Sequence, residues 1–481
     1  MDSKYKIGKI RLTPAQCAVD LGDGSERGFY VDQDYILNKL NRPHRAINLM
    51  YCYYPLDKEW PARAQDAFSD QEVGYAWDYP YDNYFPYRGG LEGDRNGEPF
   101  NFMKDIRRHG QDVILTLTCD TKVSDEQIAA IADDLKPYGR MMLRLNHECT
   151  GNWFAYTKRS SYQEIADFFV RFTKIIKEHA PNVKMILCAG MVFDLENPVI
   201  DKEEEFMEAG RVTDLWSMDS YIALNWGWPY EVAEKTNSQH RLMGSKNVFD
   251  RMKATYKRYF ELYGVKKPLV LSEMNVDGDV TGAYRQATIL KDFYDRLKND
   301  PDKCCAGITL YQFRDDGRLG LEFTDPSNTA NGIEWPLLPV YRDMIDDDFF
   351  KPGCEACGNA ELPVKLRWGG SEDAEGIAME LEFEGDPIFA EANFTDDLVD
   401  ANLMLELNGR WFYKAPGAKF VDFMPAFYGK KIPAGTKLDL KIFAPPADGV
   451  NDPSQGEDWT ENYYYTLKSL PDIRLRFEPI E

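Results

Sequence analysis

Histidine, cysteine and positive charge are all in short supply in this 481-residue chain, and each shortage removes a class of function. Five His and nine Cys, the latter at positions 17, 52, 119, 149, 188, 304, 305, 354 and 357, form no cluster with metal-ligand spacing and no even-numbered disulfide framework. Cys354 and Cys357 make a lone CxxC, to be read as a labile disulfide, half a metal site or a pair without chemical role. With 57 Lys and Arg against 80 Asp and Glu, the formal charge is -23, which argues against nucleic acid, whose phosphates call for clustered cations. No apolar run reaches the roughly 18 residues of a membrane span, so no membrane insertion is expected. No glycine-rich phosphate fingerprint follows a strand-like run, and no G-x-S-x-G elbow is present. The opening MDSKYKIGKIRL lacks the apolar core of a signal peptide, leaving open a cytoplasmic protein or an exported one whose leader was removed.

What is abundant is apolar patterning, at 43% hydrophobic and 14% aromatic residues. The length exceeds what one core usually organises, and two domains are expected. Between about 42 and 350, strand-like runs alternate with amphipathic helical segments: 46-54, 72-77, 112-118, 141-148, 183-190, 213-221, 268-275 and 306-313. Ser161 with Glu164, and Ser124 with Gln127, read as capping boxes ahead of helical repeats such as Ile165, Phe168, Phe169, Phe172 and Ile176. Eight strands with intervening helices predict a (β/α)₈ TIM barrel over 1-350, with about 1-40 as an N-terminal extension. After DDDFFKPG the period changes to two. Ile377, Met379, Leu381 and Phe383, then Leu438, Leu440 and Ile442, then Ile473, Leu475 and Phe477 alternate with polar residues. With the turn signals Asn408-Gly409 and Pro433-Ala434-Gly435, residues 360-481 are expected to form a C-terminal antiparallel β-sandwich, to which the N-terminal segment could add a strand.

In a barrel of this kind the reactive groups sit where strands end, at the loop-bearing face. Glu148 ends the fourth predicted strand and Glu273 the seventh. Alternation puts Arg144, Asn146 and Glu148 on one side of strand four and turns His147 away unless the strand end twists. Two carboxylates about 5 to 5.5 Å apart can cleave a glycosidic bond with retention, one as nucleophile and one as acid then base. Either Glu taken alone reads equally as a solvated anchor or ion-pair partner. His147, Arg144 and Tyr221 are candidate tuners of the pair, and Cys149 is discounted as a nucleophile because His147 would be its sole activating partner.

The segment RLNHECTGNWF resembles the acid/base segment of glycoside hydrolase family 26, the β-mannanase family of the clan A (β/α)₈ retaining hydrolases, whose pattern is R-x-x-H-E-x-x-G-x-W-F. Arg144, His147, Glu148, Gly151, Trp153 and Phe154 stand in register with it. The resemblance implies Glu148 as general acid/base. LSEMN looks like the family's strand-seven segment, implying Glu273 as nucleophile, and WSMDSY like the strand-six segment whose Tyr, here Tyr221, hydrogen-bonds that nucleophile. Where the clan usually offers a Trp on strand eight, YQFRDD has Tyr311 or Phe313.

Aromatic loops complete the picture. WDYPYDNYFPYRGG (77-90), Trp153, Trp226 and Trp228 are candidates to pack on sugar rings, and Arg314, with Asp315 and Asp316, to reach substrate hydroxyls or form an ion pair. The expectation is a retaining glycoside hydrolase without cofactor or metal, acting on a polysaccharide or oligosaccharide: β-mannan, β-xylan, glucan or algal galactan. The alternatives are a non-catalytic carbohydrate-binding protein on a barrel scaffold and a polysaccharide lyase. Oligomeric state is not legible.

Overall fold

The computed structural model describes residues 4-24, 30-57, 60, 84-91, 93-222, 244-315, 319-367, 374-445 and 464-478. Eight parallel strands close on themselves: β1 (Ala18–Gly22), β2 (Ala46–Tyr53), β3 (Asp112–Cys119), β4 (Met141–Leu145), β5 (Val183–Cys188), β6 (Leu215–Ile222), β7 (Leu269–Val276) and β8 (Cys305–Leu310). Each pairs with its sequence neighbour, and β8 pairs with β1, so the sheet has no free edge except for a two-residue addition, Phe85–Pro86, beside β2. The barrel is therefore as expected, with one change in its membership. Its first strand comes from the segment read as an N-terminal extension, while the predicted strand 72-77 lies outside the described residues. β1 is only five residues long and wholly buried, and its Asp20 accepts a 2.9 Å hydrogen bond from Arg45 Nε, so the strand carries no alternation to betray it.

The interior is layered. Ala46, Ile114, Met142, Ile186 and Val270 form an apolar floor, one from each of five strands. Two residues further along, the same inward faces present Asn48, Thr116, Arg144, Cys188 and Ser272, so the core turns polar toward the carboxyl ends of the strands. Outside the barrel the apolar faces of the strands meet helices such as Tyr162–His179. There Ser161 accepts from the Glu164 amide while the Glu164 side chain accepts from the Ser161 amide, closing the capping box. Ser124 and Gln127 do the same for Asp125–Leu135.

The remaining strands are antiparallel. Ile7–Thr13 lies between Gly353–Asn359 and Glu375–Phe383, in a sheet continued by Thr436–Phe443, Leu403–Leu407 and Arg410–Lys414, with Val364–Arg367 and Tyr464–Leu467 off its path. A second sheet of Phe420–Asp422, Pro387–Asn393 and Asp472–Phe477 faces it across one apolar core containing Met379, Leu381, Phe383, Ala392, Leu440 and Ile442. Asn408 (φ 53°) and Gly409 (φ 83°) form the two-residue turn between Leu403–Leu407 and Arg410–Lys414, both in the left-handed region that such hairpins demand. This unit meets the barrel at Asn41, Arg108 and His109: the Trp411 amide donates to Asn41 at 2.9 Å, Asn402 Nδ2 to the Arg108 carbonyl at 3.1 Å, and the rings of His109 and Tyr413 lie 3.8 Å apart. These residues stand at the C-terminal ends of the helices that lead into β2 and β3, at the end of the barrel opposite its mouth.

Two substitutions on one helix should separate packing from capping. Phe172→Ala, in the fully buried layer between helix and barrel, is expected to cost about 3–5 kcal/mol, and Ser161→Ala about 1 kcal/mol. Thermal unfolding followed by circular dichroism should show the first lowering the midpoint several times more than the second.

Candidate active site

Arg144 is the centre of the mouth of the barrel. Its side chain is completely buried, and its planar fork is used on every side. Nε donates to Thr116 Oγ1 at 2.8 Å, Nη1 to both oxygens of Asp219 at 3.1 and 3.0 Å, and Nη2 to Glu273 Oε1. Thr116 in turn donates to Asn48 at 2.8 Å, and Ser272 Oγ to Asp219 at 2.6 Å, so the guanidinium and Asp219 are held from below. The second oxygen of Glu273 accepts from Tyr221 at 2.7 Å.

Two local departures from regular strand geometry create this arrangement. On β7, Met218 of β6 is opposite Leu271 while the next residue, Asp219, is opposite Glu273. The extra residue is a bulge, and it lets Ser272 and Glu273 both contribute side chains to the interior network. On the other side, β4 ends at Leu145, and Asn146 (φ 44°) and Glu148 (φ 52°) take left-handed backbone conformations. Alternation therefore fails after Leu145. Asn146 turns aside to bind the backbone of Cys119 at both its N–H and C=O, at 2.7 and 3.1 Å. It is a brace for the loop rather than part of the inward edge. His147, which alternation would have turned outward, instead brings Nε2 to 3.7 Å from Glu273 Oε1 and 3.3 Å from the Tyr84 hydroxyl.

Glu148 sits above the pair, half-buried, and accepts from Trp153 Nε1 at 2.9 Å. A Cβ on Gly151 would collide with the Trp153 indole, so glycine at that position allows the ring to fold back over the loop. Glu148, Asp219 and Glu273 each bring one oxygen within 4.8 Å of the other two. Among the described residues this is the one cluster of three groups able to hold a metal ion, and two of its members already face the Arg144 cation.

Three carboxylates around one guanidinium leave surplus negative charge. Burial, then the charges of Asp219 and Glu273, push the Glu148 carboxyl well above the usual range; the Trp153 hydrogen bond and Arg144 pull only partly the other way. Asp219 is pushed up to about 7, by burial first, against the pull of Arg144 and with the help of Glu273. Burial and the neighbouring Arg144 drive His147 well down, so it is neutral near pH 7. Burial raises the Cys149 thiol, whose Sγ lies 3.4 Å from the Cys188 carbonyl, which leaves it without thiolate character.

The other sequence candidates divide. Trp153 is 40% exposed beside Glu148. Phe313 is fully buried, its ring edge-on to Tyr35 at 6.1 Å, and presents no surface to a ligand; the aromatic from that segment nearer the site is Tyr311, edge-on to Tyr221 at 6.0 Å. Arg314 is committed to an ion pair with buried Glu322, Nε donating at 2.9 Å, rather than open to substrate. Trp226 and Trp228 lie outside the described residues, as do Trp77, Tyr79 and Tyr81. Tyr84, from the aromatic stretch 77-90, reaches the site, and Asp219 was not singled out from sequence. Asp219 had a signal: it stands two residues before Tyr221 on the same strand face.

No protein-family model and no curated protein matches the sequence. Solved structures similar to it include a GH26 β-mannanase from Bacteroides ovatus (11% identity, 69% of this chain and 89% of that one, TM-score 0.41). A modular endo-β-1,4-mannanase from Cellulomonas fimi (12%, 89% of each chain, TM-score 0.43) and an α-L-arabinofuranosidase from Thermotoga maritima (12%, 92% and 100%, TM-score 0.46) are others. Likeness of this degree speaks to neither substrate nor mechanism.

The raised Asp219 makes a signed expectation. A carboxyl that titrates near 7 when folded and near 3.8 when unfolded keeps its proton longer in the folded state, so its contribution to stability is lost as pH rises between those values. Asp219→Asn removes that loss. The thermal midpoint of the variant relative to wild type should therefore climb between about pH 4 and pH 7; a difference independent of pH would contradict the shift.

Proposed function

We propose that the chain is a retaining glycoside hydrolase acting on a β-linked polysaccharide. The observation that carries this reading is the approach of Glu148 and Glu273 oxygens to within 4.8 Å across the barrel mouth. An approach of that order supports the roughly 5–5.5 Å spacing of a double displacement over the roughly 6.5–9.5 Å that leaves room for a water in direct inversion.

The two carboxyls are in different environments, as two roles require. Glu273 is fixed by donors on both oxygens, Arg144 and Tyr221, which aim it at an anomeric carbon. Glu148, crowded by two like charges, holds a proton at neutral pH and gives it to the departing glycosidic oxygen. Once Glu273 is esterified its negative charge is gone. One source of repulsion on Glu148 disappears, its acidity rises, and it becomes the base that activates water for release of the sugar. Neutral His147 adds no competing cation. The resemblance of RLNHECTGNWF to family 26 assigns the same roles and points to β-mannan among substrates, with β-xylan, glucan and algal galactan requiring the same pair.

Wild type and two variants should be screened on mannan, xylan, mixed-linkage glucan and agarose, with the first-formed anomer followed by NMR. The product is expected to keep the configuration of the bond cleaved. Glu273→Ala should lose about a thousandfold or more in kcat, and Glu148→Ala, given a 2,4-dinitrophenyl glycoside whose leaving group needs no proton, should be rescued by azide as a glycosyl azide of retained configuration. Inverted product, or a Glu273→Ala enzyme of undiminished rate, would overturn the reading.

A further inference from the structure

Beyond Glu148 the mouth opens into a cavity of about 510 Å³ bounded on its far side by the loop after β5. The loop is anchored at its base. Val192 and Ile200 form an antiparallel bridge, the Val192 amide donates to Thr255 at 2.9 Å, and the Ile200 amide donates to Glu203 at 2.9 Å, which is itself paired with Arg258. The tip between these anchors is nonetheless apolar and uncovered, with Phe193 at 57% and Val199 at 46% exposure. Phe193 is the informative residue. The Arg251 guanidinium, itself buried, lies 4.1 Å from its ring centroid, so one side of the ring is fixed by a cation while much of its area remains in water. A large apolar ring held in place and left exposed on the wall of a cavity is a contact surface.

The charge of the cavity has one sign. Asp194 and Asp201, with Asn197, line its loop side opposite Glu148 and the Arg144-paired Asp219, and among the described residues no Lys, Arg or His lines it. Asp201 is paired with Lys202 at 3.3 Å just outside the lining. Asp194 takes the Glu196 amide at 2.9 Å, which orders the loop without neutralising the carboxylate. A second anion entering here would meet the Asp194 carboxylate, with no cation in the described lining to offset it, in a partly enclosed space.

We propose that this cavity seats the sugar on the leaving-group side of the scissile bond, that Phe193 opposite Trp153 is the platform it packs on, and that the carboxylates restrict that sugar to uncharged residues, excluding uronates and sulfate esters. The inference rests on the reading of Glu148 as the general acid, because the group it protonates must depart into the space beyond it. It adds a determinant of specificity: selection at this position works through charge as well as fit.

The test separates the two levels. On the polysaccharide that wild type cleaves in the screen above, and on the matching glycosyl fluoride, whose leaving group places no sugar in the cavity, kcat/KM is measured for wild type, Phe193→Ala and Phe193→Trp. The ratio of polymer to fluoride should fall at least tenfold in Phe193→Ala and return toward wild type in Phe193→Trp. Charge is read with 4-carbamoylphenyl and 4-carboxyphenyl glycosides of the same sugar, near-isosteres that differ by one negative charge. Wild type should favour the amide by tenfold or more, and Asp194→Asn/Asp201→Asn should shrink that preference severalfold. A wild type that cleaves no glycan or fluoride removes the hydrolase reading and this inference with it. A wild type that cleaves, with ratios within twofold of one another across the Phe193 variants or equal rates on the two aryl glycosides, overturns this inference alone.

Discussion

Everything at the barrel mouth depends on one buried cation. Arg144 has no exposed side-chain surface and sits among three carboxylates, two of which it contacts directly. Burying a guanidinium costs several kcal/mol unless its donors are met, and here Thr116, Asp219 and Glu273 meet them. One positive charge cannot balance three negative ones, so the cluster holds a proton that isolated carboxyls would have released. Glu273 is fixed by two donors, burial and the neighbouring carboxylates displace Asp219 and Glu148 upward, and burial with the same cation keeps His147 neutral. Glu273 and Glu148 differ because one lies against the guanidinium and the other does not.

The fold supplies the rigidity this requires. An apolar floor closes the barrel below Arg144, and the polar layer above it ties Asn48, Thr116, Ser217 and Ser272 into one hydrogen-bonded set with the ion cluster. The antiparallel unit docks at the opposite end, through Asn41, Arg108 and His109. That placement suits a brace for the barrel and leaves the mouth to the loops after β4 and β5.

Much of this was legible in sequence, and the failures have a common cause. The barrel followed from apolar runs alternating with capped amphipathic helices, and the second unit from its period of two, because burial imposes those patterns. Strand β1 escaped notice because a five-residue, fully buried segment has no alternation to read. In the site, alternation placed Arg144 correctly but put Asn146 inward and His147 outward, the reverse of what the left-handed Asn146 and Glu148 produce. The bulge that brings Glu273 inward is equally invisible to a periodicity argument. At Arg314 the ion-pair alternative is the one formed, with Glu322, while Phe313 is buried against Tyr35, a partner distant in sequence that short-range pattern does not reach. Short-range pattern finds elements; it does not find the places where the chain breaks pattern to aim a side chain.

The central claim is that burial, together with the surplus negative charge around Arg144, keeps a carboxyl protonated at neutral pH, and infrared difference spectroscopy tests it without any substrate. Spectra recorded between about pH 5 and pH 9 on wild type and on Glu148→Gln should show a protonated-carboxyl C=O band that survives at about pH 7 in the wild type and is lost or displaced in the variant. A wild type with no such band at neutral pH, or a band indifferent to Glu148→Gln, would contradict the account and leave Glu148 without the proton its role demands.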